Sequence, residues 1–183
     1  MAPTLPLNLG GKSLNDTDIK IIAHLFANGA LAQVATLSLE ANKIGDVGLT
    51  ALADACAKGG LAKVTILALD RNKIGDTGLT ALAAACANGA LANLHYLYLH
   101  KNQVGNAGLS ALADACANGA LAQVTSLKLW GNKIGDAGLS ALAEVCANGA
   151  LASLKSLWMD GGPLGDDHPK LKAACEKRGI TLR

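Results

Sequence analysis

Residues 61–90 read "LAKVTILALDRNKIGDTGLTALAAACANGA". The first half of this stretch has a period of two. Leu67 and Leu69 fall on one face of a short strand, with Ile66, Ala68 and Asp70 on the other. Asn72 and Ile74 then turn inward, and Gly75 permits the turn. The second half has a helical period. Leu79, Leu82 and Cys86 share one helix face. Asp76 is placed to cap the helix start, and Asn88-Gly89 reads as its C-cap. One strand, one turn and one helix are predicted within this unit.

The unit recurs. Residues 121–150 read "LAQVTSLKLWGNKIGDAGLSALAEVCANGA", and residues 31–60 and 91–120 match without gaps. The unit starts Leu31, Leu61, Leu91, Leu121 and Leu151 are spaced by 30 residues. Residues 1–30 fit the frame weakly, through Leu7, Leu9, Leu14, Asp16, Ile19 and Ile22, and the last unit fits until Asp166. Self-similarity at this period marks stacked repeats. A single repeat domain over 1–183 is predicted, with capping repeats at 1–30 and 151–183 around four regular repeats at 31–150. Atypical outer units are what such an array needs, because each end must shield a core face that has no neighbour. They predict a complete array. Pro6 marks the first strand as an edge. Gly162 and Pro163 replace the regular turn in the last unit, and Pro169, next to His168, marks the start of a charged final helix. The close match among the inner units fits recent duplication or a consensus-engineered array.

The pattern Val64-x-x-Leu67-x-Leu69-x-x-Asn72-x-Ile74-Gly75-Asp76-x-Gly78 resembles the leucine-rich repeat. It is most similar to the ribonuclease-inhibitor type, whose units carry a full helix. The resemblance implies an α/β fold, a curved leucine-rich-repeat solenoid or horseshoe arc. A parallel β-sheet would line the concave face and helices the convex face. It also implies an intracellular protein that binds other proteins. No residue-level site carries over, because members of this family use different concave residues for different partners.

The repeats can be compared with one another. Asn42, Asn72, Asn102 and Asn132 form one constant column, Gly45, Gly75, Gly105 and Gly135 a second, and Gly48, Gly78, Gly108 and Gly138 a third. These read as scaffold: backbone bonding, turns, and close approach at helix starts. The outward strand positions vary instead. One column runs Glu40, Asp70, His100, Trp130, Asp160, and the next runs Ser38, Ala68, Tyr98, Lys128, Trp158. Both tyrosines and both tryptophans of the chain fall on this face, while the single Phe26 takes a helix core position. Rings kept only for packing would be expected inside. With neighbouring strands ~4.8 Å apart, Tyr98, Lys128 and Trp158 form one row and His100, Trp130 and Asp160 the next. Tyr96, His95, Lys101 and Lys155 border them. An aromatic, mildly basic patch of this kind resembles an interface core. The alternative is a self-contained stack in which Tyr98 and Trp158 sandwich Lys128.

Other features exclude or mislead. A formal net charge of +2 predicts no general attraction to nucleic acid or anionic membrane. Apolar runs are too short to span a bilayer, and the start lacks a signal-peptide pattern. Cys56, Cys86, Cys116 and Cys146 recur on the buried helix face, with Cys175 continuing the column. Packed helices lie ~8–10 Å apart and a disulfide needs Cα atoms within ~7 Å, so free thiols and a reducing compartment are expected. "GGKS" at 10–13 lacks the earlier glycine of a phosphate loop. Asn15-Asp16-Thr17 is a glycosylation sequon, read as idle without a secretory signal. Asp70 and His100 can pair across strands, read as a solvated polar pair.

These readings predict a cytoplasmic, non-enzymatic protein-binding scaffold without cofactor, metal or membrane contact. The partner is expected to be another protein on the concave face, with monomer or weak dimer as the free state. Single-stranded nucleic acid, a glycan or another acidic polymer is the alternative ligand for the same patch.

Overall fold

The computed structural model describes residues 5–159 and 168–183. Strands and helices alternate along them: β1 (Leu5–Asn8), α1 (Asp16–Ala27), β2 (Val34–Ser38), α2 (Asp46–Ala57), β3 (Ile66–Ala68), α3 (Asp76–Ala87) and β4 (Tyr96–Tyr98). The series continues with α4 (Asn106–Ala117), β5 (Ser126–Lys128), α5 (Asp136–Ala147), β6 (Ser156–Trp158), α6 (Pro169–Arg178) and β7 (Thr181–Leu182). The strands form one parallel sheet in sequence order. Its register advances by one unit per strand, so Leu37, Leu67, Leu97, Leu127 and Leu157 lie side by side. Each helix packs on its sequence neighbours. The result is a curved α/β solenoid, with the sheet on the concave side and the helices on the convex side.

The core lies between sheet and helices. Leu67, Leu69 and Ile74 meet Leu79, Leu82 and Cys86 there, all buried. The helices also bury Ala53, Ala55, Ala83, Ala85, Ala113 and Ala115. A stacked helix touches the sheet and a helix on either side, and alanine lets those neighbours approach. This is why so much of the apolar content is alanine.

The asparagine column works as expected. Asn72 Nδ2 donates to Leu39 O at 2.9 Å and Leu69 O at 3.0 Å, and its Oδ1 accepts from Ile44 N–H at 3.1 Å. Asn102 repeats the set one unit on, with Leu69 O, Leu99 O and Ile74 N–H. Each buried amide therefore ties two consecutive units together.

Helix capping differs from the sequence expectation. Asp76 is the first helical residue of α3, and Gly75 is the N-cap, without a side-chain cap. The capping carboxylate comes from the preceding unit. Asp46 Oδ1 accepts from Gly75 N–H at 2.7 Å and Gly78 N–H at 3.0 Å. Asp76 serves Gly105 and Gly108 in the same way. In the next unit Asn106 does so for Gly135 and Gly138. Both glycine columns follow from this clasp. Gly75 has an ordinary φ of −109°. It is glycine because a Cβ there would sit 3.0 Å from Asp46 Oδ2, and one on Gly78 would sit 2.7 Å from Asp46 Oδ1. The conformational need falls at the other end of the helix, just past the C-cap Asn88, where Gly89 takes φ +88°.

The last described unit changes the clasp. His168 caps α6 through Nδ1, which accepts from Leu171 N–H at 3.2 Å. Its Nε2 lies 3.1 Å from Asp136 Oδ1. Pro169 is at the helix start, and Arg178 donates back to the carbonyls of Cys146, Ala150, Leu151 and Ala152. The chain then adds β7, a short strand that the repeat pattern does not predict. At the other end, Leu5, Leu9 and Gly11 donate towards β2. Pro6, within this edge strand, has no N–H to offer. "GGKS" belongs to the same scaffold, since Gly11, Lys12 and Leu14 spend their N–H groups on Glu40 O and Asn42 Oδ1. Gly162, Pro163 and Asp166 lie outside the described residues.

The thiols are free and buried. Burial pushes Cys56, Cys86 and Cys116 up to about 12 and Cys146 to about 11. The nucleophilic thiolate is thereby suppressed. A thiol reagent at about pH 8 should label the native chain only as fast as the array opens, and label all five cysteines at once in denaturant. Rapid labelling of the native chain would mean the helix layer is loose.

Asp76→Ala should lower stability by about 1–2 kcal/mol, because two helix-start N–H groups lose their acceptor. Asp76→Asn should cost much less, since Asn106 fills the same role natively. Urea melts of the two variants check this, and equal losses would show that the clasp depends on charge.

Candidate functional site

The concave face is built from the residues that alternate with the core leucines. Strand register places Tyr98, Lys128 and Trp158 side by side. Lys128 Nζ lies 4.5 Å from the Tyr98 ring centre and 5.2 Å from that of Trp158. Beyond Trp158, β7 brings Arg183 to 4.9 Å from the same ring. Phenol, ammonium, indole and guanidinium thus alternate across four strands. Each cation–π contact of this kind contributes about 0.5–2 kcal/mol, more as water is excluded.

A second row lies beside the first. The His100 imidazole stacks on Trp130, with centres 4.6 Å apart and planes 20° apart. Lys101 Nζ sits 4.8 Å from the Trp130 ring centre. Lys101 holds a left-handed φ of +56°. Its neighbour on the next strand is Gly131, where a Cβ would come within 3.0 Å of Lys101 Cγ. A bare glycine at that position leaves room for the lysine stem.

On its other side His100 meets Asp70, with Nε2 3.2 Å from Oδ2. Arg71 approaches the same oxygen at 3.9 Å. The pair is not solvated, contrary to the sequence expectation: Asp70 is 8% exposed and His100 9%. Trp130 stacks on the imidazole and Arg71 reaches the carboxylate. His100 Nδ1 is buried without a partner. Burial pulls the imidazole below its ordinary 6.5, with Lys128, Arg71 and Lys101 adding to the effect against the pull of Asp70. The neutral imidazole is thereby favoured at pH 7, with Nε2 facing the Asp70 carboxylate. Burial, then Tyr96 and Asp70, raise the Tyr98 hydroxyl, so it stays a neutral phenol.

Tyr96 is the ring left most open. It is 39% exposed and meets Tyr98 edge-on, with centres 6.3 Å apart. Its row continues through Ser126, Ser156 and Thr181. Tyr96, Tyr98, His100, Lys101, Lys128, Trp130 and Trp158 are thus brought together. His95 and Lys155 are not. The Nδ1–H of His95 turns back to Asn93 O at 2.8 Å, and Lys155 is exposed, with no ring contact among the described residues. Asp160 lies outside the described residues. Arg183 was not anticipated, because the last unit breaks the 30-residue period. The only signal for it is the terminal "ITLR", whose alternation is that of a strand.

A leucine-rich repeat family model matches residues 35–53, 60–83, 90–113 and 123–143, one segment in each regular unit. The chain belongs to the leucine-rich repeat proteins, which generally act as protein-binding scaffolds. Among solved structures it is similar to an internalin from Listeria monocytogenes, at 20% identity and a TM-score of 0.45. The alignment covers 90% of this chain and 50% of that one, so the chain spans half the length of the internalin. No curated protein matches the chain. Among the described residues no helix is long and apolar enough to cross a membrane.

The buried imidazole gives stability a pH dependence. His100 titrates lower in the folded chain than its ordinary 6.5. As pH falls, the unfolded chain takes up this proton first, so stability is full above about 6.5 and falls below it. The loss levels off once pH passes the folded value. Urea midpoints at about pH 7.5 and about pH 5.5 should differ less for His100→Gln than for the native chain. An equal difference would place the acid sensitivity elsewhere.

Proposed function

We propose that the chain is a non-enzymatic, cytoplasmic protein-binding scaffold that grips a partner on its concave face. The observation that carries this reading is the placement of the rings. Both indoles and both phenols stand on concave strand positions, while the core is filled by aliphatic side chains and one Phe. The scaffold positions repeat from unit to unit and these do not, as recognition residues require. Tyr96 is the apolar anchor. Lys101, Lys128 and Arg183 supply charge, and His95, Lys155 and Asp160 form the border. The full helix of every regular unit supports the ribonuclease-inhibitor-like type. Residues 1–30 and 151–183 serve as the caps of a single domain, and the free chain is a monomer or weak dimer.

Binding peptides selected by display against the folded chain test this. Tyr96→Ala should weaken the selected peptides by about 2 kcal/mol, ~30-fold, as loss of an anchor does. Val47→Ser, on the exposed side of α2, should leave them unchanged. The reverse pattern would move the binding surface to the helices and overturn the reading.

A further inference from the structure

We infer that the concave patch is built for an acidic polypeptide segment, an extended run of Asp or Glu side chains laid across β4 to β7. This rests on the concave-face reading above and deepens it. The first support is the orientation of the rings. Lys128 lies between Tyr98 and Trp158 in strand order and takes a face of each. Arg183 takes the other face of Trp158. Trp130 carries His100 and Lys101. Lys128 and Arg183 come to Trp158 from strands on either side, so the faces of this indole are turned along the stack of strands and its edge looks out of the concave face. A ring edge carries the positive end of the quadrupole. A nucleobase or a sugar needs an open face to stack on, and the two indoles, each already carrying two such contacts, are poorly placed to offer one.

The second support is the charge balance. At this face the acidic partner of a cation is Asp70, and it is taken by His100 and Arg71. Among the described residues no carboxylate lies within 4.0 Å of Lys101, Lys128 or Arg183. Among the described residues, their positive charge is met by rings rather than by carboxylates. Ammonium, guanidinium and ring edges together present one sign of charge to a ligand.

The third support is register. Lys128 and Arg183 belong to strands two spacings apart, ~10 Å. A chain in the extended polyproline II form, with three residues per turn, places carboxylates three residues apart on one face at about this distance. The hydroxyls of Ser126, Ser156 and Thr181, in register with Tyr96, can bond the backbone of such a segment. Beside β2 and β3 the face carries the acidic Glu40 and the Arg71-paired Asp70, and no ring, so the contacts of an acidic chain lie in the C-terminal half.

Both tryptophans of the chain lie in this patch, so intrinsic fluorescence reports on it. The full chain is titrated with poly-L-glutamate of about 15 residues, with a poly-L-lysine and an oligothymidylate of the same length, and with maltohexaose. Poly-L-glutamate should give a saturable change that weakens several-fold as salt rises through the physiological range. Poly-L-lysine and maltohexaose should give none. Lys128→Gln should weaken binding at least ~5-fold and Lys128→Arg should restore it, with near-ultraviolet dichroism confirming that both variants keep the fold. No response to poly-L-glutamate, or equal binding by Lys128→Gln, overturns the acidic partner. Tighter binding of the oligothymidylate overturns it in favour of nucleic acid. Display-selected peptides without acidic residues would leave the concave scaffold standing while overturning its charge preference. Selected peptides indifferent to Tyr96→Ala would remove the scaffold reading itself.

Discussion

At the turn between each strand and its helix, backbone amides point into the core with no ladder or helix to receive them. An unmet buried amide is costly, so the array depends on how this turn is satisfied. The asparagine column does it. One Asn side chain accepts from the turn of the preceding unit and donates to carbonyls of two consecutive strands. The aspartate clasp extends the same logic to the helix starts, where one carboxylate serves two N–H groups of the following unit. Each unit is therefore completed by its neighbour. Stability of such an array comes from interfaces between units more than from any unit alone.

That division of labour frees the concave face. The turn, the core and the helix starts consume the constant residues, and nothing in the scaffold specifies what stands on alternate strand positions. The chain uses this freedom unevenly. From β2 to β3 the outward residues are Thr36, Ser38, Glu40, Ile66, Ala68 and Asp70, none of them a ring. From β4 to β7 the row through Tyr98 alternates rings and cations in a pattern set by register, one side chain per strand. Lys101, Lys128 and Arg183 are long, flexible side chains, and an exposed lysine or arginine loses much rotamer entropy when it binds. Resting them on aromatic faces lowers that cost before any ligand arrives.

Much of this was legible because the repeat is strict. The alternation in "VTILALDRN" and the 30-residue period together fix the strand face, the helix face and the neighbours of every residue. The row Tyr98, Lys128, Trp158 followed directly from that arithmetic. What the sequence did not disclose involves partners that the period does not reach. Asp76 resembles a local N-cap, yet its carboxylate serves the next unit, because a stacked helix start is closer to its neighbour than its own geometry suggests. Arg183 enters the ladder from a shortened final unit. The Asp70–His100 pair was visible as a contact but not as a buried one, since its burial depends on side-chain placement such as the stacking of Trp130 on the imidazole.

The unpartnered Nδ1 of His100 bears on how the two rows are coupled. Asp70 holds the imidazole through Nε2, and Trp130 fixes its plane. Protonation would place a donor at Nδ1 where nothing buried can accept it. It would also add a positive charge near Lys101 and Lys128. The neutral form is thus the one compatible with closed packing, and it leaves the cations of the face to Lys101, Lys128 and Arg183. The stacked imidazole supplies ring surface to Trp130 without adding charge. The acidic half of the face, through Asp70, in this way orients the basic half.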